Sequence, residues 1–290
     1  MNLVWGSLND SPVERVLDAL AARSAVTFHI DDNALEKLRY DILLESPPSG
    51  WIELEDRRIP VQEIRSAYIR PAEPKSTKAR IAAMALLSFV SSMPGVVINR
   101  PTAGRSNASK PYQLNLIASS GFEVPDTLVT TDPVAARAFL RKHSRLVYKS
   151  LSGIRSIVAT LDATDEARLE DVRNGPVQLQ EYVVGLDVRV HIIGDRWFAC
   201  SVQSEAIDYR YGGRTGMSAE LSEFALPEAV GTKLVALARQ MNLLVAGIDL
   251  RYTPEGSWVC FEVNPSPGFP WYEDATGDPI AEAIAELLDS

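Results

Sequence analysis

Two apolar stretches close to the C-terminus constrain this chain more than anything else in it. Leu244–Tyr252 reads LVAGIDLRY and Trp258–Val263 reads WVCFEV, with the turn TPEG between them. Both have the composition of buried β-strands, yet each holds an acid, Asp249 in the first and Glu262 in the second. An uncompensated carboxylate in such a strand is expensive, so each must find a cation or a metal ion, or lie at a solvent edge. Side chains alternate along a strand, which sets Glu262 and Asn264 on one face. If the two stretches pair as a hairpin, Asp249 converges on them. Two carboxylates and an amide oxygen are the hard donors that magnesium takes, and two ions bridged by Glu262 would neutralise phosphate oxygens. The alternative is that these acids are edge-strand carboxylates facing solvent or pairing with arginine.

The rest of the chain alternates helical and extended patterns, an α/β arrangement. Residues 2–5 and 25–30 read as strands around a helix from Pro12 to Ala22, with Ser11 as a candidate cap and Val13, Val16, Leu17 and Leu20 on its apolar face. Residues 51–60 read as a hairpin, Ser66–Ile69 as a strand, Lys75–Ser91 as a helix and Val96–Ile98 as a strand. Pro101 and Gly104 interrupt the pattern and place a boundary near 99–105. Beyond it lie helices over 110–120, 133–142, 227–242 and 278–288. Strands are expected over 127–130, 146–149, 156–160, 177–183, 187–193 and 196–203. The polar, glycine-rich stretch Tyr209–Ser222 reads as a loop beside a site or as an ordinary surface connection. A length of 290 residues suits two domains.

Composition removes several classes. Lys and Arg number 29 against 38 Asp and Glu, a net charge of −9, so no global positive field is offered to nucleic acid. The first ten residues lack a secretory pattern, and the most apolar N-terminal helix is too short to cross a bilayer. Two cysteines and three histidines exclude a thiolate cluster, argue against a zinc site built mainly of imidazoles, and suit a cytoplasmic protein.

Several polar residues stand out against this background. Lys149 ends the strand LVYK and precedes SLSGIRS, where a lysine beside exposed backbone donors makes a phosphate grip. Lys110, just before a helix, is a second candidate contact. In QEYVVGLDVRVHIIGD, Gln180, Glu181 and Val183 could line an adenine edge, Asp187 could meet a ribose hydroxyl, and Arg189 shares its face. Arg210 could reach a transferring phosphoryl group. His191 reads as structural. Solvation or surface ion pairs would account for any one of these residues taken alone.

NRPTAGRSNASKPYQL, GFEVPDTLVT, LVYKSLSG, LQEYVVGLDVRVHIIGD, GIDLRY and FEVNPSPG occur in this order. The ordered set resembles the ATP-grasp superfamily, in particular the branch holding the ribosomal-protein glutamate ligase and the ribosomal peptide maturases that close side-chain ester or amide rings. YIRP at Tyr68–Pro71 is similar to the arginine–proline segment of the maturases' N-terminal domain, and Arg70 could contact an acidic peptide segment or pair locally.

The resemblance implies an ATP-grasp fold, with an N-terminal α/β pre-ATP-grasp domain at 1–98 and a two-lobed nucleotide-binding catalytic region at 99–290. It implies ATP and Mg2+, with Lys110 and Lys149 on the nucleotide phosphates, Glu181 and Val183 at the adenine edge and Asp187 near the ribose. Asp249, Glu262 and Asn264 would hold magnesium, while Arg189 and Arg210 position phosphate or intermediate. The SLSGIRS turn departs from the more glycine-rich phosphate loop of many relatives. The implied activity is carboxylate–amine or carboxylate–hydroxyl ligation of a peptide through an acyl phosphate. The substrate would be a ribosomally made precursor peptide in a macrocyclase, and a homodimer is expected. A free amino-acid or dipeptide ligase is the alternative, followed by a nucleotide-responsive peptide-binding protein without turnover.

Overall fold

The structure, a computed structural model, describes residues 1–149, 158–204 and 219–290. It opens with strand β1 (Asn2–Gly6), helix α1 (Ser11–Ala22) and strand β2 (Thr27–Ile30). Asp10, not Ser11, occupies the N-cap of α1, and Pro12 sits in its first turn, where a missing N–H costs nothing. A three-stranded antiparallel sheet follows, β3 (Arg39–Leu43), β4 (Ser49–Leu54) and β5 (Arg57–Pro60). Sequence patterning captures only its β4–β5 hairpin. Strand β3 escapes because it is short and exposed on alternate residues. Then come β6 (Ser66–Arg70), α2 (Thr77–Ser92) and β7 (Val96–Ile98).

Strands β2-β1-β6-β7 form one parallel sheet in that order. Every residue of β1 is buried because both faces are covered, as parallel sheets require. Leu3 and Trp5 pack with Ala79, Ala82, Leu86 and Phe89 of α2. Val4, on the opposite face, packs with Val13, Val16 and Leu20 of α1.

The chain then runs through α3 (Lys110–Ser119), β8 (Thr127–Thr130), α4 (Pro133–His143), β9 (Leu146–Lys149), β10 (Val158–Leu161) and β11 (Val177–Glu181). These strands make an antiparallel sheet ordered β10-β9-β11-β8. Its core gathers Ala136, Leu140, Leu146, Leu169, Val172 and Leu179.

A second antiparallel sheet follows, with β12 (Leu186–Ile193), β13 (Arg196–Ser204), β14 (Ala219–Glu223), β15 (Val245–Tyr252) and β16 (Trp258–Asn264) in the order β14-β13-β12-β15-β16. Helix α5 (Glu228–Gln240) lies between β14 and β15 in the chain. With α3 it covers the sheet through Leu114, Ile117, Leu234 and Leu237. The expected loop at 209–222 is corrected at its end, since residues 219–223 pair with β13. The remainder of that stretch, Arg210 and the SLSGIRS turn up to residue 157 lie outside the described residues.

Helices α6 (Pro270–Thr276) and α7 (Ile280–Asp289) end the chain. Ile280, Ile284 and Leu288 of α7 join Val4, Val16 and Leu20 in one cluster, so the first sheet is finished by the last helix. Asn99 reinforces this junction. Its amide donates to the carbonyls of Val245 and Pro265, both at 2.6 Å, and its Oδ1 accepts from the N–H groups of Leu244 at 2.9 Å and Val245 at 3.2 Å. Among the described residues, no helix is long and apolar enough to cross a membrane.

Candidate active site between the two antiparallel sheets

The paired strands β15 and β16 set Asp249 directly opposite Glu262, and Gly247 opposite Asn264. The register slips beyond that pair, with Leu250 facing Cys260, so Phe261 is the extra residue of a β-bulge. Bulges re-aim side chains, and this one sends the Phe261 ring toward the other sheet. The ring centroid lies 5.8 Å from Nζ of Lys149 on β9 and 5.5 Å from the Arg251 guanidinium on β15. Lys149 thus spans from one sheet to the other.

Each acid carries a cation. Arg189, directly across β12 from Asp249, donates through Nη1 to Asp249 Oδ1 at 2.7 Å and is only 4% exposed. Lys110, at the start of α3, pairs with the Glu262 carboxylate and donates to Asn107 Oδ1 at 3.0 Å. Among the described residues, the two carboxylates are each paired with one cation. The carboxylate side chains are 21% and 20% exposed, so an incoming ion can reach them. Asn264 Oδ1 accepts from the Ser266 N–H at 2.9 Å, which fixes the amide and leaves a second lone pair on the oxygen. The donor set therefore fits magnesium: three hard oxygens, with Lys110 and Arg189 paired to the two carboxylates.

The guanidinium of Arg189 lies over Gly247, where a Cβ would come within 1.9 Å of Nη2 and 2.6 Å of Pro267 Cβ. Sequence reading did not single out Gly247, whose only signal is a glycine inside an otherwise apolar strand. Beside the guanidinium, across β12 and β15 from Gly247, sits His191, with Nε2 3.4 Å from Arg189 Nε and 3.3 Å from the Gly268 carbonyl. Burial, reinforced by the charge of Arg189, pushes the imidazole down to about 3. His191 is thus a neutral packing group edge-on to Tyr272, consistent with its structural reading.

The phosphate and adenine candidates lie on β9, on β11 and at the start of β12. Lys149 Nζ donates to Gln180 Oε1 at 2.8 Å, and Gln180 Nε2 donates to Thr127 Oγ1 at 3.0 Å. Gln180 is 1% exposed, so its side chain holds Lys149 from beneath. Glu181 closes β11, and its carboxylate accepts from the Asp126 N–H at 2.9 Å and lies 3.3 Å from His143 Nδ1. Asp126, His143 and Glu181 could together hold an ion, but the Lys142 ammonium already sits on Asp126 at 2.6 Å. Just beyond, Arg251 ties Asp187 to the strand crossing: it donates to Asp187 Oδ1 at 2.9 and 2.5 Å and to the Val183 carbonyl at 2.5 Å. Arg251 is another residue the sequence did not mark. Arg70 is turned inward, donating to Asp10 Oδ2 at 2.6 Å, Ser266 Oγ at 2.8 Å and the Pro267 carbonyl at 2.9 Å. Of its two sequence readings, local pairing is the one seen.

Two antiparallel sheets, with paired acids on one and a lysine of the other approaching it at Phe261, have counterparts among known proteins. Residues 107–288 match the RimK-like ATP-grasp domain. The chain is 30% identical over 216 residues to the Probable alpha-L-glutamate ligase of Chromohalobacter salexigens, covering 71% of this chain and 70% of that one. Among solved structures, the ATP-grasp ligase PsnB, complexed with minimal precursor, Mg and ADP, superposes with a TM-score of 0.82 at 25% identity over 99% of this chain and 96% of its own. The macrocyclase MdnC of Microcystis aeruginosa, bound to its precursor peptide, superposes with a TM-score of 0.81 at 20% identity over the whole of both chains.

Proposed function

The chain belongs to the RimK-like ATP-grasp family, and from that premise we propose that it is an ATP-dependent ligase acting on a peptide. In this reading a substrate carboxylate takes the terminal phosphoryl group of ATP, and an amine or hydroxyl then displaces phosphate from the acyl phosphate. The observation that carries the proposal is the register that sets Asp249 opposite Glu262, with Arg189 and Lys110 as their exchangeable partners.

Magnesium, when bound by Asp249, Glu262 and Asn264, would neutralise phosphate oxygens. Lys110 and Arg189, released from their carboxylates, would turn to the phosphates. Lys149, held by Gln180, would reach them from the upper sheet, and Arg210 is assigned to the transferring group. Glu181 and Val183 would border the adenine and Asp187 the ribose. Residues 1–98 would form the pre-ATP-grasp domain and 99–290 the catalytic region.

Peptide as substrate is supported by the precursor complexes of PsnB and MdnC. A ribosomally made precursor encoded nearby is the natural candidate, and the protein would then be a macrocyclase. A second reading, ligation of free L-glutamate or another amino acid, is favoured by the glutamate-ligase relative. Reaction of the protein with ATP, magnesium and peptides encoded nearby, followed by intact and fragment mass spectrometry, separates the two. Loss of one water per bond within the peptide supports ring closure, whereas mass gained only with an added amino acid supports the second reading. ATP hydrolysis that depends on neither would sink both. A cytoplasmic location and a homodimer go with the proposal, and fractionation and sedimentation test them.

A further inference from the structure

The proposed chemistry leaves unassigned a cavity of about 420 Å³ between the first sheet and the turn after β16. Helix α1 leaves β1 on one face of the parallel sheet and α2 leaves β6 on the other. The carboxyl ends of β1 and β6 therefore flank a topological switch point, where open α/β sheets bind ligands. The cavity opens there. Its walls include Ser7 after β1, Arg70 and Ala72 at the end of β6, and Asp32, and its floor is Pro265–Ser266, immediately beyond Asn264.

The charges around it are unequally satisfied. Arg70 spends Nε on Asp10 and Nη1 on Ser266 and Pro267. Arg100 directs Nη1 and Nη2 at the carbonyls of Val90, Ser91, Met93 and Gly95, beside the end of α2. Arg70 thus has a carboxylate partner, and the donors of Arg100 are committed to backbone carbonyls. Asp32 differs. Its Oδ1 accepts from the Trp5 indole N–H at 3.0 Å and its Oδ2 from the Ala72 N–H at 3.1 Å, both neutral donors. Among the described residues no lysine, arginine or histidine forms an ion pair with it. Burial raises its proton affinity, and the charge of the adjoining Asp31 adds to this. A smaller cavity of about 200 Å³ shares Asp32 as a wall and adds Glu36 and Glu73. Its one lysine, Lys75, donates to Asn33 at 3.1 Å.

We propose that this cavity is the acceptor subsite and that Asp32 recognises a primary ammonium, the side chain of a lysine in the peptide acceptor. The inference rests on the ligase reading above. A half-buried carboxylate held by neutral donors, the Trp5 indole and the Ala72 and Ser7 N–H groups, is oriented and has charge to share, which suits a cation that brings three N–H donors of its own. The product would be an amide: the bound ammonium first gives up one proton to solvent to free its lone pair, the nitrogen bonds to the acyl carbon, the carbon–oxygen bond to phosphate breaks with its electron pair leaving on phosphate, and a second N–H proton passes to solvent.

The test uses the full chain without nucleotide, so that its failure is separate from failure of ATP turnover. Nα-acetyl-lysine N-methylamide is titrated by ligand-observed NMR against its norleucine and threonine counterparts. The lysine probe should bind at least about tenfold tighter than norleucine, a preference of the size one partly desolvated ion pair supplies. Asp32→Asn, near-isosteric and able to keep the indole hydrogen bond, should bring the probes to parity. Equal binding of lysine and norleucine by the unaltered protein, tighter threonine binding, no binding of any probe, or an unchanged lysine preference in D32N would each overturn the assignment. The first three need no variant, so a folding defect in D32N leaves the proposal falsifiable.

Discussion

Arg189 and Asp249 face each other across β12 and β15, Nη1 to Oδ1 at 2.7 Å, with the guanidinium roofing Gly247. A buried pair of this kind contributes modestly while intact, but removing one partner costs about 3–5 kcal/mol. The pair therefore matters more for where it holds two functional groups than for stability.

Gly247→Ala tests that placement. The new methyl would meet Arg189 Nη2 and the ring of Pro267, and the proline cannot swing aside. Overpacking of this kind costs about 1–3 kcal/mol. Urea titration should show the loss, and ATP turnover should fall further than the population of folded protein does.

Glu262→Gln removes a ligand charge and the partner of Lys110 while keeping side-chain shape. ATP turnover should collapse by two orders of magnitude or more, with a raised magnesium requirement in whatever remains. Thermal unfolding should move little, because the pair is partly exposed and such pairs are weak. Full activity with ordinary metal dependence would remove Glu262 from the metal site.

Asn99→Ala deletes four hydrogen bonds that join the first sheet to the start of β15 and the turn after β16. At about 0.5–1.5 kcal/mol each, a loss of about 2–6 kcal/mol is expected in denaturant unfolding. Limited proteolysis should then cut near residues 99–105 earlier than in the unaltered protein.

His191 gives stability a pH dependence of known sign. Its folded value of about 3 lies below the ordinary 6.5, so it stays neutral when folded. Below pH 6.5 the unfolded chain takes up a proton that the folded chain refuses, and stability falls with pH down to the folded value. The slope approaches about 1.4 kcal/mol per pH unit from this one group. In His191→Gln, urea midpoints between pH 6.5 and 4.5 should decline less steeply, and an unchanged slope would show that the imidazole titrates freely.

Much of the site was legible because chemistry was written against composition. Acids inside apolar strands at 249 and 262, and a lysine ending a strand at 149, stand out without any knowledge of contacts. Gly247 and Arg251 did not, since a glycine in a strand and an arginine near a strand end are common for many reasons. Gln180 was legible as part of the cleft, but its role beneath Lys149 was not, because that depends on the pairing of β9 with β11. Strand β3 was missed for want of a continuous apolar pattern, and the edge strand β14 because only its partner identifies it.

By itself the sequence determined the α/β class, the order of the motifs and which residue types could meet a metal and phosphates. Those are local properties, set by period, turn chemistry and the cost of burying charge. Only the tertiary structure decided which partners those residues take. The register put Asp249 against both Glu262 and Arg189, the bulge at Phe261 turned a ring toward Lys149, and α7 closed a core that begins at β1. It also turned Arg70 inward and left Asp32, which has no ion-pair partner among the described residues, facing a cavity. Such pairings join residues up to about 280 positions apart, as Val4 and Ile284 are. The spacing of residues along a chain carries no information about contacts made only when sheets and helices close on one another.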